Sequence, residues 1–410
     1  MSEHFVAAAV IFALTYVVLG FGALPPLRMD RTGAALVGAT AMVAFGVLTP
    51  HQAVAAIDFQ TIALLFGMMI VVAHLRLAGF FGWLSGHAFR WAHTPAALLA
   101  IMVAISGALS ALFVNDTACI LLTPIALETA LALALPPTPF LLAVAMGANA
   151  GSVATLVGNP QNMLVGSFSR ISYARFLAAL GPVALVALAT TALVLRFAFR
   201  RQLAAGSAVA EVAGHPRPLQ TALLWKALVV TALLFLALLA GVNPGVAALS
   251  AASLLLVTRR IRPARVYVQV DWALLAMFAG LFIVVRGVEV AGLTDAWLSR
   301  IPFGLRHSVW ALVGTTTVLS NLVSNVPAVL VLRSWPQAAV RPDLAWLALS
   351  MASTLAGNLT LVGSVANLIV VEQARGRAAI SFWEYARVGV PITLVTLLLG
   401  TLWLVIAGPR

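Results

Sequence analysis

The skeleton T-L-V-G-x-x-x-N occurs twice in this chain, as Thr155-Leu156-Val157-Gly158-Asn159-Pro160-Gln161-Asn162 and as Thr360-Leu361-Val362-Gly363-Ser364-Val365-Ala366-Asn367, 205 residues apart. Both copies interrupt stretches otherwise apolar enough to lie in a bilayer. Glycine, proline and amide side chains loosen a helix there, where each unsatisfied backbone group costs several kcal/mol. Two such interruptions at corresponding positions of two halves are the sequence signature of a secondary transporter's substrate site.

Composition agrees. Hydrophobic residues make up 62% of the 410 positions and charged ones 9%, against ~25% charged in soluble domains. This predicts an all-α polytopic membrane protein lying in a lipid bilayer. No polar connection is long enough for a soluble domain; the longest runs from about Arg200 to Gln220. A net charge of +12 raises the question of nucleic acid, but no basic recognition element is present, and arginines held in cytoplasmic loops account for the charge. No Lys or Arg precedes the first apolar run, so that segment is expected to stay as a span rather than leave as a signal peptide. A single cysteine, Cys119, excludes an internal disulfide and a multi-cysteine metal centre.

The repeat extends beyond its eight residues. Asp58-Phe59 opens a span containing Gly67 and Ile70, and Asp271-Trp272 opens one containing Gly280 and Ile283. Ser110 to Asn115 is matched by Ser320 to Asn325, and Ile171-Ser172-Tyr173 by Ile380-Ser381-Phe382. Against a span length of ~20 residues, the first half parses into spans near 5–23, 33–49, 59–79, 139–168 and 179–199. The second gives 222–241, 244–258, 270–286, 344–373 and 387–408. The fourth span of each half is discontinuous. Between third and fourth lie two shorter arms around a polar centre, 96–113 with 118–134 and 308–322 with 326–333. We read both pairs as re-entrant hairpins; two full spans remain open for the longer first pair. The organisation is therefore a first repeat over 1–200, a cytoplasmic linker over 201–221, and a second repeat over 222–410.

Five spans per half is odd, so the second repeat is inverted. Arginine follows: placing the linker in the cytoplasm gathers sixteen basic residues there, including Arg31, Arg76 and Arg259 to Arg265, and leaves eight opposite, including Arg170, Arg286 and Arg333. Segments 80–93 and 290–306 mix aromatic and charged residues and read as interfacial helices.

The sharpest polar cluster is Asn115-Asp116-Thr117. Asp116 is the one acid placed near the bilayer centre, where an ionised carboxylate is costly and usually functional. It either binds a coupling cation or carries a coupling proton, or it caps the second hairpin arm. Its counterpart in the second repeat is Val326. The breaks supply Thr155, Gly158, Asn159, Asn162, Thr360, Gly363, Ser364 and Asn367, with Asn149, Ser152 and Asn358 close by; the second hairpin tip supplies Ser324 and Asn325. Hydroxyls, amides and freed carbonyls of this kind suit a small cation such as sodium, while half-helix N-termini suit an anion. The competing reading is that small residues only let helices pack closely. Glu128, roughly 18 Å along the helix from Asp116, reads as solvated, and Cys119 as a small hydrophobe.

Enzymatic signatures are missing. There is no H-E-x-x-H, no G-x-S-x-G and no Walker A loop, and the lone lysine, Lys226, sits in a hydrophobic run. The chain is not expected to be an enzyme or to carry a cofactor or a resident metal.

Phe113-Val114-Asn115-Asp116-Thr117-Ala118, Val157 to Asn162, Ser324-Asn325-Val326-Pro327 and Gly357 to Asn367 together resemble the ion transporter superfamily, on its arsenite permease and citrate-transporter-like branch. The resemblance covers nearly the full length. It implies two inverted repeats, each with a re-entrant hairpin and a broken helix, and a homodimer working by an elevator motion. It also implies transport of a small anion, arsenite or another oxyanion or a di- or tricarboxylate, driven by protons or sodium across a bacterial inner membrane. A sodium/proton antiporter and an anion channel are the alternatives. In the dicarboxylate symporters of this superfamily Ser-Asn-Thr motifs hold carboxylate and sodium. Here Asn115-Asp116-Thr117 and Ser324-Asn325-Val326 depart from that pattern, and an acid at the first tip is similar to the arsenite permeases.

Overall fold

The computed structural model describes residues 3–21, 23–24, 29–204, 219–300 and 302–408. Most of the proposed linker lies outside them. In the first half, α1 (Glu3–Phe21) leads through a two-residue antiparallel bridge, β1 (Ala23–Leu24) with β2 (Met29–Asp30), into α2 (Arg31–Ala44), α3 (Pro50–Ala56), α4 (Phe59–Leu77) and α5 (Phe80–Phe89). There follow α6 (Pro95–Leu112), α7 (Asn115–Ala132), α8 (Thr138–Ser152), α9 (Pro160–Ser169), α10 (Tyr173–Ala198) and the short α11 (Arg200–Ala204).

The second half repeats the plan. It opens with α12 (Thr221–Leu239), α13 (Pro244–Leu256), α14 (Pro263–Tyr267) and α15 (Trp272–Val290). Next come α16 (Leu293–Arg300), α17 (Phe303–Arg306), α18 (Val309–Val323), α19 (Asn325–Leu332) and α20 (Ser334–Gln337). It closes with α21 (Pro342–Leu355), two 3-10 turns, α22 (Val365–Ala374) and α23 (Phe382–Ala407). Among the described residues seven helices are long and apolar enough to cross a membrane.

The matched residues of the two halves do matched local work. Asp58 caps α4 by accepting from the Thr61 amide at 3.0 Å, and Asp271 caps α15 by accepting from the Leu274 amide at 2.9 Å. Ser172 and Ser381 cap α10 and α23 in the same way. Each cap supplies an acceptor to a donor that the first helical turn leaves without a partner.

Packing divides the helices into a frame and a core. In the frame the halves exchange partners: α2 packs against α15, and α13 against α4. Gly67 and Gly280 permit this. A Cβ on Gly67 would stand 2.5 Å from the Ala248 backbone, and one on Gly280 would stand 2.8 Å from the backbone of Ala35. The two crossings are related by the repeat, which is the signature of an inverted pair. The core is built from α6 to α10 and α18 to α23, with α10 against α23, α8 against α6, and α21 against α18. Polar residues such as Asn149, Asn162 and Asn367 are wholly buried, while Leu14, Phe21, Trp225 and Ile406 are exposed. Exposed apolar and buried polar side chains are what a lipid solvent dictates.

One expected span ends early, and one alternative left open in the sequence is decided. The second span of each half is short: α2 has 14 residues and α13 has 13, about 20 Å at 1.5 Å per residue, under the ~30 Å hydrocarbon thickness. Pro50 and Pro263 then start separate short helices, α3 and α14. The first hairpin, left open between re-entrant and spanning, is re-entrant. Its tip amide, Asn115 N, donates to Gly158 O at 2.9 Å, in the middle of the broken span. Ser106 and Ser110 of α6 donate to Val144 O and Ala148 O of α8, at 2.6 and 2.7 Å. The α6 and α8 helices therefore run side by side in one direction, with α7 returning between them.

Candidate functional site

Each break is held open by its own asparagine. Asn162 Nδ2 donates to Ser152 O and Thr155 O, both at 2.9 Å. Asn367 Nδ2 donates to Gly357 O at 2.7 Å and Thr360 O at 3.2 Å. At the breaks Thr155 O and Thr360 O accept only turn bonds from Gly158 N and Gly363 N, and the side-chain amides add donors to these carbonyls and to Ser152 O and Gly357 O. Asn159 caps α9 by accepting from the Asn162 amide at 2.8 Å. A side chain at Gly158 would place a Cβ 2.3 Å from Ser152 O, so the loop closes only around glycine.

The oxygens of the same residues reach across to the other repeat. Asn149 of α8 donates to Asn367 Oδ1 at 3.0 Å and to Asn358 Oδ1 at 2.9 Å, and its own Oδ1 accepts from Ser364 Oγ at 3.0 Å. The mirror arrangement is built on Thr354 of α21. It donates to Asn162 Oδ1 at 3.2 Å and accepts from Asn159 Nδ2 at 3.0 Å. Ser350 adds a 2.6 Å bond to Asn162 Oδ1. The helix ahead of each break thus ties to the break of the other half.

The hairpin tips complete two clusters. Neighbours fix the amide of Asn325: its nitrogen faces Ser353 O and Gly363 O, each at 3.1 Å, and its oxygen accepts from Gln161 Nε2 at 3.2 Å. Asn115 is different. Its Nδ2 reaches Asn149 Oδ1 only at 3.4 Å, and its buried Oδ1 has no hydrogen-bond partner. A buried acceptor without a donor calls for an explanation such as a bound species. The first cluster is therefore the open one and the second is closed.

Asp116 and Thr117 follow at that open tip, both half-buried. The N-cap of α7 is Val114, with no side-chain cap bond, so Asp116 is not the capping residue the sequence left as an alternative. The charges acting on it are Arg31, at the start of α2, and Asp271, the cap of α15. Arg31 Nε is buried without a hydrogen-bond partner.

Thr155 and Thr360 brace the hairpins, donating to Ala111 O at 2.5 Å and Asn321 Oδ1 at 2.8 Å. Gly363 approaches Asn321 closely enough that a Cβ would meet its Oδ1 at 2.6 Å. Ser324, at the second tip, has φ +77 and ψ 160, a region nearly reserved for glycine. Sequence reasoning named Asn149 beside the break but missed the roles of Gln161, Ser350, Thr354 and Asn321. These residues lie in or beside the repeated motifs, but a lone Ser, Thr or Gln on an apolar helix carries no local signal.

Inverted repeats with paired breaks and paired hairpins define a membrane transporter. Known proteins place it more narrowly. The citrate transporter family matches residues 10–350, and the chain belongs to that family. It is 32% identical to the silicon efflux transporter LSI3 of Oryza sativa subsp. japonica, covering 96% of both chains. It is 25% identical to the putative transporter arsB of Dictyostelium discoideum, over 93% of this chain and 88% of that one. The crystal structure of the Alcanivorax borkumensis YdaH transporter shares the fold, with a TM-score of 0.57 over 98% of this chain and 96% of that one, at 16% identity. The protein is a multi-pass membrane transporter of the citrate and arsenite permease type.

Proposed function

We propose that the protein is a secondary carrier of a small oxyacid or oxyanion of the arsenite kind, driven by a proton or sodium gradient across a bacterial inner membrane. One observation carries the substrate reading: the polar groups that meet at the two breaks are amides, hydroxyls and backbone carbonyls. Such groups both donate to and accept from a hydroxylated solute. The names of the silicon efflux and arsB relatives support the same choice. A di- or tricarboxylate is the second reading, favoured by the family description.

Coupling is assigned to Asp116. A carboxylate that carries a proton or holds sodium at the open tip changes the charge of the core as it loads. Residues Asn115, Thr117, Asn159, Asn162, Asn358, Ser364 and Asn367 then form the binding region, either by contact or by holding the breaks. The experiment is uptake into proteoliposomes under imposed proton and sodium gradients, screened over arsenite, silicate, phosphate, citrate and succinate. Accumulation of arsenite or silicate against its gradient is the expected result. Accumulation of citrate alone refutes the oxyacid, cation exchange without solute movement indicates an antiporter, and gradient-independent leakage a channel.

A further inference from the structure

Among the described residues, one ion pair joins the frame to the second hairpin. Arg333, at the end of α19, puts Nη2 2.5 Å and Nε 2.6 Å from Glu289 Oε1 on α15. The two side chains are only 14% and 19% exposed. The Arg333 guanidinium also lies over the ring of Phe168 in α9, 4.9 Å from its centroid. Nearby, the Tyr16 hydroxyl of α1 donates to Pro327 O of α19 at 3.2 Å. Four elements therefore converge where α1 and α15 of the frame touch α9 and α19 of the core.

The repeat shows what this contact would look like if the fold required it. The offset between Asp58 and Asp271 carries Glu289 onto Arg76, and that between Asn115 and Asn325 carries Arg333 onto Thr123. The offset between the two breaks carries Phe168 onto Gln373. Arg76 instead binds Gln269 Oε1 at 2.9 Å, and Thr123 turns back to Cys119 O at 2.7 Å. Among the described residues, the repeat-related positions Arg76 and Thr123 thus form no such pair. The first half builds the corresponding helices without such a pair, so the helical plan of a repeat does not depend on it.

We propose that Glu289–Arg333 is a one-sided latch and that Arg333 is its positioning residue. It holds the second hairpin on the frame in the conformation seen here, and it opens when the core turns its site to the other face. The proposal rests on the carrier reading, since alternating access requires one bundle to rock against the other. A pair shielded from water and present on one side only biases that equilibrium towards the latched state, by a factor on the order of tenfold.

Labelling kinetics test this without a substrate. Leu330 is fully buried and lines a crevice of about 750 Å³ between α1, α15, α16 and the second hairpin. In the protein reconstituted in nanodiscs, with Cys119→Ala and Leu330→Cys, maleimide reacts only when that crevice opens, so its rate follows the open population. Glu289→Gln and Arg333→Gln should each raise the rate about tenfold. The exchange of Glu289→Arg with Arg333→Glu should label more slowly than either single variant. Native Cys119, buried in the first hairpin, serves as the reference in separate proteins that keep Cys119 and Leu330 and carry the same Glu289 and Arg333 substitutions, and its rate should not change. An unaltered rate at position 330, or an equal acceleration at Cys119, overturns the latch. A failed transport screen leaves these rates readable, so the two proposals fail separately.

Discussion

Asn149 Nδ2 stands 3.0 Å from Asn367 Oδ1, joining the helix ahead of the first break to the second break. Asn149 also serves Asn358 and Ser364, so one side chain satisfies three partners of the other half. Asn149→Ala leaves buried groups without partners, each costing about 1–3 kcal/mol. The variant should lose stability of at least that order and bind substrate poorly. A denaturant titration in detergent, compared with Asn149→Gln, checks this. A parent-like midpoint for Asn149→Ala removes the residue from the site's support.

Asp116→Asn keeps shape and hydrogen-bonding capacity while removing the titratable charge. Asp116 makes no capping bond, so the variant should insert and purify like the parent. Gradient-driven accumulation should collapse, whereas exchange between equal substrate pools should survive. Arg31→Gln should disturb the pH or sodium dependence of transport more than it disturbs folding. Full accumulation by Asp116→Asn, with unchanged ion dependence, would end the coupling assignment.

Gly67→Val should damage the frame and leave the core's chemistry alone. A Cβ there falls 2.5 Å from backbone atoms of Ala248 that have no rotamer to change. Overpacking of this kind costs about 1–3 kcal/mol or more. Gly280→Val, facing Ala35 at 2.8 Å, should behave alike. Yield and thermal midpoint measure both. Tolerance at one position and not at the other would contradict the repeat-related packing.

Ser324→Gly separates strain from contact. Ser324 occupies backbone space that costs a non-glycine residue about 1–3 kcal/mol, so the glycine variant should be more stable by roughly 1 kcal/mol. If the hydroxyl takes part in binding, the apparent affinity falls while stability rises. Stability and transport that move together would show that Ser324 acts through the backbone alone.

Much of the local plan was legible in the chain. Asp58 and Asp271, Ser172 and Ser381, and the two glycine-containing breaks announce themselves because capping and helix interruption depend on residues within one turn. The second span of the first half ends earlier than expected because apolar composition continues past Ala44 while Pro50 starts a new helix. Asp116 was legible as an unusual acid, but the charges that act on it, Arg31 and Asp271, lie far from it in sequence.

The sequence by itself determined an all-helical membrane protein of two inverted repeats, with hairpins and broken helices in fixed places, because periodicity, apolar length and turn chemistry are local properties. Only the tertiary structure decided that Asn149 serves the second break while Thr354 serves the first. It alone decided that the acceptor left open belongs to Asn115 and not to Asn325, and that Glu289 rather than Arg76 has a partner on a hairpin. Those pairings join residues far apart in the chain, whose meeting depends on how two nearly equivalent halves close around each other.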